Sequence, residues 1–100
     1  MSIDLAPSLL AQVQYILKEY VPECQVWVFG SRAHGPAKRF SDLDLALSST
    51  EAIPLRRLAL LADAFEESDL PFRVDLLDLR TASPSIRDQI NRSGVSLSET

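Results

Sequence analysis

Asp42 and Asp44 stand one residue apart in the stretch Ser41-Asp42-Leu43-Asp44-Leu45. Side chains alternate across a strand, so both carboxylates fall on one face. Like charges held close raise each other's pKa unless a cation intervenes. A hard divalent ion such as Mg²⁺ suits paired carboxylates together with phosphate oxygens. A third carboxylate on a neighbouring strand would complete a two-metal site, with ions about 3.5–4 Å apart that clamp the attacking and leaving oxygens of a phosphoryl displacement. Asp75 is the candidate, because it interrupts the apolar run Phe72-Arg73-Val74-Asp75-Leu76-Leu77-Asp78, where an unpaired acid is costly. Asp78, nearer the strand end and more easily a surface residue, is the reserve choice.

Upstream lies Gly30-Ser31-Arg32-Ala33-His34-Gly35-Pro36, with ten residues between Ser31 and Asp42. Glycine lets backbone approach a phosphate closely. The Ser31 hydroxyl and the following N–H groups can donate to it. Arg32, Lys38 and Arg39 could neutralise a triphosphate, and Arg32, beside the turn, is the best placed. His34 reads as a loop residue rather than a general base, and the chain has no second histidine for a zinc site. A Gly-Ser turn or a lone Asp-x-Asp is commonplace; the spacing and the third acid outweigh that bland reading.

The elements that must hold these residues follow from periodicity. Leu5, Leu9, Leu10, Val13, Ile16, Leu17 and Tyr20 predict an amphipathic helix over 5–20, with Asp4 as N-cap and Pro22 beyond its end. Residues 24–29 and 42–48 read as strands, with a helical turn over 31–34 between them. In the second strand Asp42, Asp44, Ala46 and Ser48 share one face, and Leu43, Leu45 and Leu47 the other. Trp27 reads as a core or interface residue. Ser48 to Glu51 supply cap material for a helix over 53–68, whose stripe is Leu55, Leu58, Leu61, Ala62 and Phe65. Arg56, Arg57, Glu66 and Glu67 form its solvated face. A third strand spans 72–78. Ser83-Pro84 opens a last helix that Gly94 closes, and Val95 and Leu97 could add an edge strand. The order α-β-β-α-β-α predicts a small α/β (α+β) sheet with helices packed mainly on one face.

One hundred residues make one domain, 1–100. Apolar residues at 46% and charged residues at 24% exclude a disordered chain. A net charge of −4 argues against a protein that grips nucleic-acid backbone. The single cysteine, Cys24, reads as a reduced core thiol and excludes an internal disulfide. The sequence shows neither a signal peptide nor a membrane span, so the cytosol is the expected compartment.

The arrangement Gly30-Ser31, ten residues, then Asp42-Leu43-Asp44 resembles the signature of the DNA polymerase β-type nucleotidyltransferases. With Ser41 and Leu45 flanking the acids, it is most similar to the minimal nucleotidyltransferases, the MNT or MntA proteins paired with HEPN-domain partners. The resemblance covers essentially the whole chain. It implies the nucleotidyltransferase fold, a small mixed β-sheet. It implies that Gly30, Ser31 and Arg32 hold ATP, that Asp42, Asp44 and Asp75 bind Mg²⁺, and that Asp75 helps activate the acceptor hydroxyl. It also implies an antitoxin that transfers AMP to a tyrosine of a HEPN toxin. His34 stands where many relatives carry Arg, which touches only a secondary phosphate contact.

The catalytic fold consumes the chain and leaves no acceptor-binding domain, so the acceptor must be held by a partner or a second copy. Two other readings remain: an antitoxin that neutralises its partner by occlusion without catalysis, and a nucleotidyltransferase for a small molecule or nucleic acid. The acidic pI counts against the latter.

Overall fold

The structure, a computed structural model, describes residues 5–34 and 42–97. Four helices and four strands follow one another: α1 (Pro7–Tyr20), β1 (Gln25–Phe29), α2 (Ser31–His34), β2 (Leu43–Ser48), α3 (Leu55–Glu66), β3 (Val74–Asp78), α4 (Pro84–Ser93) and β4 (Val95–Ser96). The strands form one mixed sheet in the order β3-β2-β1-β4. β1 runs antiparallel to both β2 and β4, whereas β2 and β3 run parallel. The expected order therefore holds, completed by the short α2 and the edge strand β4.

Alternation in β2 divides the sheet as its sequence predicts. Leu43, Leu45 and Leu47 are fully buried and meet Val13 and Leu17 of α1 and Leu61 and Phe65 of α3 in one apolar cluster. Val26 and Val28 of β1 and Val95 and Leu97 at the far edge extend it. The opposite face carries Asp44, Ala46 and Ser48 in register with Phe29, Trp27 and Gln25. Ala46 and Ile90 of α4 are buried yet stand apart from that cluster. Trp27 is half-buried beside Ala46.

Several local expectations are corrected. The N-cap of α1 is Ala6, with no side-chain cap; Asp4 lies outside the described residues. α3 begins two residues later than expected, because Ile53 is buried in the core and Pro54 takes the N-cap position. Ser48 to Glu51 therefore do not cap it. Leu55 and Ala62 are exposed rather than part of its inner stripe. Asp78 is buried, not a surface residue: it follows Val74 and Leu76 on the inner face, and its Oδ1 accepts from the Arg80 N–H at 2.9 Å. At α4 the Ser83 hydroxyl accepts from the Ile86 N–H, as an N-cap should.

Arg57 is not simply solvated. Its guanidinium grips both carboxylate oxygens of Glu23, at 2.5 and 2.8 Å, and donates to the Tyr20 carbonyl. This fork ties α3 to the turn between α1 and β1. It holds the Glu23 carboxyl down at about 2, against an ordinary 4.5. A lowered folded-state pKa stabilises the fold fully above pH 4.5, and that contribution is lost as pH falls through about 2. Glu23→Gln should therefore lower stability modestly at neutral pH, and the gap from wild type should close as denaturation curves are taken down to pH 2. Leu45→Ala, in the fully buried row, should cost about 2–5 kcal/mol in the same assay.

Candidate active site

β1 ends at Phe29, directly opposite Asp44. The next residue, Gly30, has φ +76°, a left-handed conformation that side chains resist. A β-carbon there would lie 2.5 Å from Asp44 Oδ2. Glycine is thus needed twice, once for the turn and once to leave room for the acid. α2 follows at once, its Ala33 N–H donating to the Gly30 carbonyl at 3.2 Å.

Across the sheet, the parallel β2–β3 ladder sets Asp44 opposite Asp75. The Leu43 N–H donates to the Arg73 carbonyl at 2.8 Å, which locks the two strand starts together beside the acids. Asp42 is exposed just before β2, Asp44 is half-buried and Asp75 is exposed. Asp75 therefore does not need a partner because of burial, the reason its sequence context offered; it needs one because Asp44 is its neighbour. The Asp44 carboxyl is raised above the usual 3.8, first by its burial, then by the charges of Asp75 and Asp42. All three acids thus act on one another at the mouth of β2. Arg73 lies 3.7 Å from Asp75, a loose and exposed pair that offsets little of this repulsion.

Among the described residues, no group of three His, Cys, Asp or Glu side chains is gathered closely enough to hold a metal ion as it stands. The donor chemistry still fits a hard cation. The oxygens are carboxylate, two of the acids are open to solvent, and Asp44 carries a repulsion that positive charge would relieve.

The basic residues divide differently from expectation. Arg32 is turned inward at 6% exposure, with its guanidinium 4.4 Å from the centre of the Phe72 ring. That cation–π contact joins α2 to the approach of β3, three residues before Asp75. Ser31 opens α2, but its side chain and that of His34 lie outside what the structure describes. So do Gly35, Lys38 and Arg39. Phe72 and Arg73 were not singled out from sequence; their only signal was adjacency to Asp75.

Two substitutions test this geometry. Gly30→Ala should lower stability by about 1–2 kcal/mol from its backbone alone, and more if Asp44 cannot yield. Asp44→Asn should do the reverse. A raised folded-state pKa means that ionising Asp44 costs stability as pH climbs above 3.8. In chelator at pH 7 the Asn variant should melt a few degrees above wild type, with the difference vanishing below pH 3.8.

Sequence and structure comparisons place this geometry among known proteins. Residues 11–100 match the family described as polymerase beta, nucleotidyltransferase. A Haemophilus influenzae protein named "Probable protein adenylyltransferase MntA" is 46% identical over 97 residues, covering 97% of this chain and 85% of its own. A crystal structure of a toxin–antitoxin with AMP-PNP superposes with a TM-score of 0.75 at 29% identity, over 88% of this chain and 71% of the other. A variant of the toxin–antitoxin MntA-HpeT gives 0.74 at 27% identity over the same shares. With the match running through β1, α2, β2 and β3, which carry Gly30 and the three acids, the chain belongs to the polymerase β nucleotidyltransferase family.

Proposed function

We propose that this protein is a Mg²⁺-dependent adenylyltransferase that moves AMP from ATP to a tyrosine hydroxyl of a HEPN-domain toxin, and so serves as the antitoxin of that pair in the cytosol. The observation that carries the reading is the register that sets Asp44 opposite Asp75 and beside Gly30. The 46%-identical relative is named an adenylyltransferase, and a toxin–antitoxin of this fold was solved with AMP-PNP, which supports ATP as donor. Among the described residues no helix is long and apolar enough to cross a membrane.

In this reading the tyrosine oxygen attacks the α-phosphorus of ATP. A P–O bond to tyrosine forms, the bond from that phosphorus to the bridging oxygen breaks, and pyrophosphate departs. Asp75 orients the hydroxyl and takes its proton, which passes to water. Gly30 gives the phosphates access to backbone N–H groups, and Ser31 donates a hydroxyl to them. Arg32 serves from beneath, through its stack on Phe72, by steadying the approach to Asp75. Mg²⁺ held by Asp42, Asp44 and Asp75 would supply charge neutralisation on the phosphates and a lower pKa at the attacking hydroxyl.

The test is transfer of label from ATP marked at its α-phosphate to the purified HEPN partner. Wild type should label it. Asp42→Asn or Asp44→Asn should reduce labelling by about a hundredfold or more. Labelling that survives both changes overturns the site. Silencing of the toxin by the unlabelling double variant would favour occlusion instead.

A further inference from the structure

A groove of about 760 Å³ runs along the outer edge of the sheet, between α3 and β3. Its walls are mainly apolar: Leu55, Leu58, Ala59, Ala62 and Phe65 from α3, and Leu70, Phe72, Val74 and Leu76 from the other side. Leu55 is 84% exposed, although it is a large apolar side chain on a helix that buries its neighbours. Such surface marks a place where something docks. Glu66 and Arg73, of opposite sign, stand at the same lining, and so does Asp75.

Its position names the occupant. Strand order places Gly30 and β1 on one side of Asp44, and Asp75 and the groove on the other. The donor nucleotide belongs on the glycine side. A group that approaches Asp75 from β3 meets the acids from the opposite side, as an in-line acceptor must. The chain that follows β2 returns through α3 antiparallel to the strands, so the end of α3 and Phe72 lie at the end of the sheet that carries the acids. The groove therefore leads from Leu55 toward the reacting centre. Phe72 forms part of that inner end, backed by the buried guanidinium of Arg32. The small side chains of Ala59 and Ala62 leave space for larger apolar groups from outside.

We infer that this groove holds the apolar segment of the HEPN toxin that flanks its acceptor tyrosine, and that it sets which hydroxyl reaches Asp75. The inference rests on the function proposed above. It assigns acceptor recognition to α3 and the outer side of β3, separate from the residues that hold the nucleotide.

Ala62→Arg fills the groove and Leu55→Asp puts charge on its floor; both positions are exposed, so folding should survive. Tyr15→Ala, exposed on α1 away from the groove, is the control. With the HEPN protein encoded beside this chain as acceptor, each groove variant should raise KM for that protein at least tenfold. Its kcat at saturating acceptor, its affinity for the ATP analogue AMP-PNP with Mg²⁺, and its oligomeric state on gel filtration should be unchanged. Wild-type KM in both groove variants overturns the inference while leaving the adenylyltransferase reading intact. A change from dimer to monomer also overturns it, by showing that a second copy fills the groove. If wild type itself transfers no AMP to the HEPN protein, the proposed function fails and this inference falls with it.

Discussion

Two carboxylates held side by side repel each other, and a fold keeps them there only if stronger interactions fix the backbone beneath them. Here the parallel ladder between β2 and β3 does so, with Asp44 opposite Asp75 and the Leu43-to-Arg73 hydrogen bond at its mouth. The row Leu43, Leu45 and Leu47 supplies the stabilising counterpart on the reverse face. One strand thus alternates between the residues that hold the fold and the residues that strain it. Everything else near the site serves that register: the Gly30 turn makes room on one side, and the Arg32–Phe72 stack supports the approach to β3 on the other.

This arrangement separates two approaches to one centre. On the β1 side, backbone and small side chains offer a surface on which phosphates can lie close. On the β3 side, the sheet ends, and an apolar groove opens beside the last acid. The edge strand that would be a liability elsewhere becomes a place for a partner. The proposed chemistry needs such a division, because donor and acceptor must meet from opposite directions.

Much of this was legible from residue types. Period-two alternation in β2 named its buried and open faces correctly, since side-chain direction in a strand is set by backbone geometry alone. Ser83-Pro84 named the start of α4 for the same local reason. Asp75 was chosen over Asp78 correctly by face but for an incomplete reason. The sequence suggested a buried acid in need of a cation, whereas Asp75 is exposed on an edge strand and Asp78 is the buried one, satisfied by a turn N–H. Strand order decides this, and local pattern does not carry it. Arg57 and Arg32 were misjudged alike. A charge on a helix face or in a basic loop reads as solvated or ligand-facing until its tertiary partners, Glu23 and Phe72, are known. The late start of α3 belongs to the same class, because Ile53 must first be buried.

The central claim is that Asp42, Asp44 and Asp75 act as one cation site, although the described side chains are not gathered closely enough to hold an ion unaided. Calorimetric titration of Mn²⁺ into the protein, with a non-hydrolysable ATP analogue present, tests it most directly when wild type is compared with Asp75→Asn. The account predicts that the single substitution on β3 weakens binding at least tenfold or removes an ion from the stoichiometry. Equal affinity and equal stoichiometry in the two proteins would contradict it.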